Sequence, residues 1–166
     1  TSLNLSDEPS ALPPLTMILA AVSSGRSSLA ISEPTKLLLP LSASHAHSLA
    51  NLKRTPDEVL ADLARIVDLR DSKGSDCRVE VGLSTAFGCT IQGRVEPAEV
   101  LRLVRAALAA GVDAVGLADT VGYADPAGVS RLFEQALRVA GDRLCGGHFH
   151  DTRGLALVNV YAALQL

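Results

Sequence analysis

Apolar residues recur at helical spacing in several stretches of the chain, and three of these stretches begin at a proline. Pro56, Pro97 and Pro126 occupy the first helical position, which tolerates proline because the amide that it lacks would have no partner there. Thr55 and Glu58 add a capping-box pattern before the first stretch. The spacing predicts helices over about 56–70, 97–110 and 126–140, and a fourth from near residue 154 to the chain end.

Short apolar runs lie between these helices, over 36–41, 78–83, 114–117 and 144–149. Runs of this length and composition are typical of buried strands. Strand alternating with helix, in units of roughly 30 to 40 residues, predicts parallel strands joined by right-handed crossovers. The predicted fold class is therefore α/β, and two architectures fit it. One is a doubly wound open sheet, and the other is a partial (β/α)8 TIM barrel of about four consecutive units.

We assign residues 36–166 to a partial barrel domain and residues 1–35 to a poorly defined N-terminal segment. That segment is rich in Ser and Pro, adds no strand to the predicted sheet and has one short helix-like stretch over 15–22. An isolated half barrel exposes two sheet edges and leaves its interior unfilled. We therefore expect the chain to form a homo-oligomer or to belong to something larger.

The composition is that of an ordinary globular protein, with 166 residues, 48% of them hydrophobic, and a formal net charge of −3. Basic residues are scattered, and three Phe, two Tyr and no Trp leave little for base stacking, so we expect no nucleic-acid partner. Pro13 and Pro14 interrupt the most apolar stretch, which is too short to span a membrane, so we expect no membrane association. Three cysteines without C-x-x-C spacing favour the cytoplasm over a disulfide framework.

Polar and reactive side chains follow each predicted strand. Because the carboxyl ends of parallel strands meet at one edge of a sheet or barrel, ligands bind at that edge. The segments are Ser42-Ala43-Ser44-His45-Ala46-His47, Ser84-Thr85-Ala86-Phe87-Gly88-Cys89, Asp119-Thr120 and Gly147-His148-Phe149-His150-Asp151-Thr152. The sequence therefore predicts a functional site along this edge.

His148 and His150 carry the sharpest chemical hypothesis. Side chains at positions i and i+2 of a strand point the same way, so both rings can reach one cation. His is the commonest transition-metal ligand near neutral pH, and Asp151 and Thr152 can fix the ring orientation through hydrogen bonds. The alternative is that the two His side chains only form hydrogen bonds at the end of the sheet.

From about residue 42 onward the sequence resembles the hydroxymethylglutaryl-CoA lyase family, metal-dependent (β/α)-barrel enzymes related to acyl-condensing enzymes such as isopropylmalate synthase. The matching segments are Ser42-Ala43-Ser44 with Asn51, Phe87-Gly88-Cys89-Thr90-Ile91-Gln92-Gly93, Leu117-Ala118-Asp119-Thr120-Val121-Gly122, and His148-Phe149-His150-Asp151-Thr152-Arg153-Gly154 with Ala156 and Asn159. Several segments in order are more specific than any one of them. Ala118 stands where the family commonly has Gly, and Thr90 where Pro usually follows the loop cysteine, which leaves the substrate open.

The resemblance implies a carbon–carbon bond lyase of leucine catabolism. Such an enzyme cleaves a 3-hydroxy-3-methylglutaryl-CoA-like substrate, a small-molecule acyl-CoA or hydroxy acid, to acetyl-CoA and acetoacetate. It also implies that His148 and His150 ligate a divalent cation, for which Mg²⁺ or Mn²⁺ is favoured and Zn²⁺ also fits. The Asp and Asn that complete the family's metal site, and the loop with its catalytic cysteine, have no recognisable counterpart in this sequence.

Asp119 is the candidate catalytic residue, because at a strand end close to the metal it could accept or relay the proton of the substrate hydroxyl. The alternative is that Asp119 caps the loop that follows it. Ser44 and His45 are weaker candidates for substrate contact, and we expect His45 and His47 to lie in a Ser-rich turn. Cys89 is expected to be a packed small residue, because no His or basic residue adjoins it to lower its pKa.

Three other functions remain open at this point. An acyl-condensing enzyme or an aldolase of the same barrel group would share these motifs. A binuclear metal-dependent hydrolase would need further His, Lys or Asp ligands on later strands. An inactive, truncated barrel would retain the motifs without the chemistry.

Overall fold

The computed structural model of the chain describes residues 35–166. Four strands alternate with helices along this part of the chain. The elements are β1 (Lys36–Ser42), α1 (His45–Leu52), α2 (Pro56–Ser72), β2 (Arg78–Ser84), α3 (Pro97–Ala109), β3 (Ala114–Asp119), α4 (Pro126–Ala140), β4 (Leu144–Phe149) and α5 (Ala156–Leu164). A short 3-10 turn, Gly141–Arg143, connects α4 to β4. The short helix expected over 15–22 lies outside the described residues.

The four strands form one parallel sheet in the order β1-β2-β3-β4. Because right-handed crossovers between neighbours in this unbroken order all return on the same side, the helices cover one face of the sheet. A doubly wound sheet reverses its strand order and carries helices on both faces. The observed order therefore corresponds to four consecutive units of a (β/α) barrel, as predicted.

The proline and capping signals place the helix starts correctly. Thr55 Oγ1 accepts from the Glu58 amide at 3.2 Å, and a Glu58 carboxylate oxygen accepts from the Thr55 amide at 2.7 Å, which completes the capping box of α2. Asp125 caps α4 through the Gly128 amide at 2.8 Å. None of the helices in this part of the chain is long and apolar enough to cross a membrane.

Helix α1 is the element that the sequence analysis missed. His45 and His47 lie in its first turn and not in a Ser-rich turn, so that prediction is wrong. Ser44 Oγ accepts from the His47 amide at 3.1 Å, and Lys53 ends the helix in a left-handed conformation with φ 58°. Ser44 is a favourable N-cap residue ahead of a helix-compatible run, and this was the signal available in the sequence.

Burial separates the two faces of the sheet, because successive side chains of a strand point to opposite faces. The helix-covered face carries side chains that are at most 4% exposed: Leu39, Leu41, Val79, Val81, Leu83, Val115 and Leu117. Each contributes about 1.5–3 kcal/mol of burial free energy. On the other face, the open face, Leu38 is 59% exposed and Glu80 is buried in an ion pair with Lys36 at 2.7 Å. The open face corresponds to the interior of a closed barrel.

A register shift separates β3 from β4 and determines which β4 side chains reach each face. Val115 pairs with Leu144, but the next residue, Gly116, pairs with Gly146, so Cys145 is an extra residue in β4. Beyond it, Phe149 packs on Phe133 of α4, with ring centroids 6.0 Å apart. Phe149 therefore lies on the helix-covered face, and His148 lies on the open face.

Candidate active site

The two His residues of the H-x-H motif lie together at the carboxyl end of β4. The ring centroids of His148 and His150 are 4.9 Å apart, with the ring planes at 68°. Both residues are exposed, and His148 pairs in register with Ala118 on the open face. The rings are thus placed together as the spacing predicts, near enough for one cation to contact both. Metal binding itself stays a prediction.

The pair fits a divalent cation as part of a ligand set. Two imidazoles with free approach from solvent suit Mn²⁺, Zn²⁺ or Mg²⁺, with oxygen ligands filling the other positions. Within residues 35–166, no group of three or more His, Cys, Asp or Glu side chains is arranged to hold a metal ion. A cation bound at this pair would therefore take two ligands from the described residues and the remaining ones from substrate, water or other groups.

Asp119 lies at the end of β3 beside the His motif, but its side chain begins on the helix-covered face. It pairs in register with Phe149 and is 1% exposed. Its two carboxylate oxygens accept from the amides of Tyr123 at 2.7 Å and Ala124 at 3.1 Å. This geometry corresponds to the loop-capping alternative. A catalytic role for Asp119 stays a prediction.

Asp151 and Thr152 do not orient the imidazoles in the predicted way. The Asp151 carboxylate accepts from the Ala156 amide at 2.9 Å and so caps the first turn of α5. Thr152 packs against Gly122, where an added Cβ would lie 2.6 Å from the Thr152 side chain. In the part of the chain that the structure describes, neither residue forms a hydrogen bond to either ring.

Ser44 and His45 lie on the first loop of the carboxyl-end edge. Ser44 is fully buried, and its hydroxyl donates to the Gln92 side chain at 2.9 Å while capping α1. His45 is exposed at the start of that helix. The Ser44 hydroxyl is thus engaged in holding the loops after β1 and β2 together, and substrate contact by either residue stays a prediction.

A hydrogen-bonded chain continues between these two loops. His47 Nδ1 lies 3.0 Å from Ser42 Oγ, which lies 3.0 Å from Thr85 Oγ1. The Thr85 amide in turn donates to Thr120 Oγ1 at 2.7 Å. These contacts connect the loops after β1, β2 and β3. Side-chain hydrogen bonds therefore hold the loops together at the edge of the sheet that carries the predicted site.

Cys89 is buried at 1% exposure, as its predicted packing role requires. Burial raises the pKa of its thiol, but hydrogen bonds with Ser44 and with the amides of Gln92 and Ile91 outweigh this effect and lower the pKa. The absence of neighbouring basic residues, which can be read in the sequence, does not exclude a lowered thiol pKa. Hydrogen-bond donors supply that effect here, and burial keeps the sulfur from solvent.

Arg153 and Asn159 are the residues at this edge whose contacts the sequence did not reveal. Arg153 donates to the carbonyl oxygens of Gly122, Tyr123 and Ala124 at 2.6–3.0 Å. Asn159 is fully buried in α5, and its Nδ2 donates to the Ala124 carbonyl at 3.1 Å. Both residues belong to the segments that carry the family resemblance, but the sequence gives no indication of the groups that they contact.

An open groove of about 530 Å³ lies over the same loops. Its lining residues are Phe87, Gly88, Gly93, Arg94, Tyr123 and Arg153. An aromatic wall with two guanidinium groups can accommodate a ligand that has both apolar and anionic parts.

Comparison with known proteins matches residues 18–166 to the HMGL-like family. The chain is 35% identical over 126 residues to a hydroxymethylglutaryl-CoA lyase of Bacillus subtilis, covering 76% of this chain and 42% of that protein. It is 34% identical over 128 residues to an (R)-citramalyl-CoA lyase of Chloroflexus aurantiacus, covering 77% and 40%.

The chain is also similar to a solved lyase structure. An HMG-CoA lyase from Acinetobacter baumannii, in complex with coenzyme A and 3-methylmalate, is similar with a TM-score of 0.72 and 37% identity, covering 79% of this chain and 42% of that one. The chain thus spans about two fifths of the length of these relatives. The family match extends over most of the chain and agrees with the partial barrel and the motif segments. The chain belongs to the HMGL-like family.

Proposed function

We propose that the protein functions in carbon–carbon bond cleavage of a 3-hydroxy-3-methylglutaryl-CoA-like substrate, releasing acetyl-CoA and acetoacetate. The observation that carries this proposal is the pair of exposed rings of His148 and His150, 4.9 Å apart at the carboxyl end of β4. In a chain of the HMGL-like family, whose matched relatives are lyases, such a pair is a suitable site for a divalent cation.

The reaction requires the substrate hydroxyl to lose its proton as the neighbouring carbon–carbon bond breaks, and the resulting enolate then gains a proton. A divalent cation, with Mg²⁺ or Mn²⁺ favoured, would polarise the substrate oxygens as a Lewis acid. His148 and His150 would hold it from the open face. The Asp119 carboxylate uses one lone pair of each oxygen for loop amides and retains others, so we propose it as the proton acceptor.

Calorimetric titration of the chain with Mn²⁺ tests the metal site. We expect His150→Ala to weaken Mn²⁺ binding at least 10-fold, since even residues that only support a ligand commonly account for 10 to 100-fold. The chain contains a second H-x-H pair, so His45→Ala is the matched control and should bind Mn²⁺ like the wild type. Unchanged binding by His150→Ala, or an equal loss in His45→Ala, would contradict the assignment.

The acyl group is the finer part of the proposal. Identities of 35% to a hydroxymethylglutaryl-CoA lyase and 34% to an (R)-citramalyl-CoA lyase favour neither substrate. Acetyl-CoA release from the two compounds, measured side by side with Mn²⁺ and with a chelator, distinguishes them. Release from (R)-citramalyl-CoA alone would reassign the substrate, and full activity in the chelator would contradict metal dependence.

The cellular setting of the protein is also proposed. The partner is a small-molecule acyl-CoA, consistent with the coenzyme A named for the related structure. All three cysteines, Cys77, Cys89 and Cys145, are free thiols, which suits a reducing compartment, and we propose the cytoplasm. Within residues 35–166, β1 and β4 are the outer strands of the sheet, which supports association with another copy of the chain or with further barrel units.

A further inference from the structure

One side chain joins the turn after the His motif to the loop after β3. Arg153 donates from Nε to the Gly122 carbonyl at 2.8 Å, and from Nη2 to the carbonyls of Tyr123 at 2.6 Å and Ala124 at 3.0 Å. A planar guanidinium can serve three successive carbonyl oxygens at once, whereas the single nitrogen of Lys cannot reproduce that fork. Arg153 therefore determines the distance between this turn and this loop.

The same loop is held from its other side. The Asp119 carboxylate accepts from the amides of Tyr123 and Ala124, and Asn159 donates to the Ala124 carbonyl. Side chains from β3, from the turn and from α5 thus engage both the amides and the carbonyls of residues 122–124. The loop has little freedom to move unless one of these side chains is removed.

Backbone contact between the turn and the loop is equally close. The His150 amide donates to the Asp119 carbonyl at 3.3 Å. Gly122 has φ +73°, and a Cβ added there would lie 2.6 Å from Thr152 Cβ and Oγ1. The turn that begins at His150 therefore lies directly against the loop that Arg153 holds.

Arg153 is charged, but its contacts are with the neutral carbonyl groups of the loop after β3, which indicates that it serves to hold this loop. Other guanidinium groups, those of Arg70, Arg94 and Arg102, pair with carboxylates. Within residues 35–166 Arg153 forms no ion pair, and its hydrogen-bond partners are carbonyl oxygens only. Hydrogen bonds from a charged donor to carbonyl oxygens are stronger than those between neutral groups.

We propose that Arg153 is a positioning residue for the metal pair: by clamping residues 122–124 it fixes the turn that follows His150 and so holds the His150 ring beside His148. This inference rests on the proposed metal site. Both rings are exposed, so little side-chain packing is available to orient them, and the clamped turn supplies that constraint.

The test compares Arg153→Met, Arg153→Lys and a matched control, Arg131→Met, which removes an exposed Arg from α4. Mn²⁺ affinity of the whole chain is measured by calorimetry. Amide exchange of Tyr123 and Ala124 and the ring resonances of His150 are measured by NMR without metal. We expect Arg153→Met to bind Mn²⁺ about 10 to 100-fold more weakly, with faster exchange at both amides and displaced His150 ring signals. Arg153→Lys should be intermediate and Arg131→Met should match the wild type.

The outcomes separate this inference from the metal proposal. Wild-type Mn²⁺ affinity and unchanged His150 ring signals in Arg153→Met would overturn the positioning role and leave the metal site intact. Absence of Mn²⁺ binding by the wild type, with His150 signals and amide exchange still dependent on Arg153, would overturn the metal site and support the positioning role. If Arg153→Met does not fold, Arg153→Lys carries the same comparison, and wild-type behaviour in that variant would overturn the inference.

Discussion

Replacing Gly122 with Ala tests the contact between the β3 loop and the turn after the His motif. Gly122 has φ +73°, a left-handed conformation in which any L side chain costs about 1 kcal/mol. The added Cβ would also lie 2.6 Å from Thr152 Cβ and Oγ1 and 3.1 Å from the Thr152 amide nitrogen. Because Thr is short and the amide belongs to the backbone, the clash cannot be relieved by rotating a flexible side chain. Overpacking of this kind costs about 1–3 kcal/mol.

The total cost of Gly122→Ala is therefore about 2–4 kcal/mol. For a chain of this size, 1 kcal/mol changes Tm by roughly 3 °C, so the variant should unfold about 6–12 °C lower in a calorimetric scan. Gly74→Ala is the matched control, because Gly74 has φ +60° and nothing lies within 4 Å of an added Cβ. The control should lose only about 3 °C.

A second substitution locates the clash. Thr152→Gly removes the two side-chain atoms that the new Cβ would meet and leaves only the amide nitrogen at 3.1 Å, so the Gly122→Ala/Thr152→Gly pair should lose less stability than the sum of the single changes. A coupling of about 1–3 kcal/mol is expected from the double-mutant cycle. Equal Tm losses for Gly122→Ala and Gly74→Ala, together with additive effects in the cycle, would refute the close approach of the turn to the loop.

Two further predictions address Asp119 and the cap of α2. Asp119→Asn presents an N–H group to one of the two loop amides, so we expect a loss of about 1–3 kcal/mol in unfolding free energy; activity that falls no further than the folded fraction would contradict a role as proton acceptor. Hydrogen bonds from the Thr55 amide and hydroxyl lower the pKa of Glu58 in the folded chain. The ionised Glu58 carboxylate therefore stabilises the fold fully above the unfolded pKa of about 4.3. This stabilisation is lost as the pH falls through the lower, folded pKa. Unfolding of wild type and Glu58→Gln across this range should show a difference that shrinks in acid, and a constant difference would contradict this reasoning.

The sequence was sufficient to predict most of the strands and helices because their signals are local, and the strand order then distinguishes the barrel from the doubly wound sheet. Pro56, Pro97 and Pro126 begin α2, α3 and α4 as expected, and the apolar runs became the four parallel strands. Helix α1 was missed because its eight residues include two His and a Ser, which weakened the helical pattern, although Ser44 was available as its N-cap.

Residue-level geometry at the site could not be predicted in the same way, because it depends on contacts between distant segments. The position of Asp119 at a strand end was predictable, but its register with Phe149 and its contacts with two loop amides were not. The hydrogen bonds of Arg153 need the loop after β3 to lie against a turn about 30 residues later. Local spacing carries no information on either arrangement.

The extra residue at Cys145 determines which face of the sheet the side chains of the H-x-H motif reach. If β4 instead continued regular pairing from Leu144 without a bulge, Gly116 would pair with Cys145 and Asp119 with His148, and the His148 ring would lie beneath the helices. The motif letters alone do not distinguish these two registers. A related sequence with a single gap at Cys145 would keep the same pairing of residues 146–149 with β3, because the residue removed is the one without a partner in the ladder.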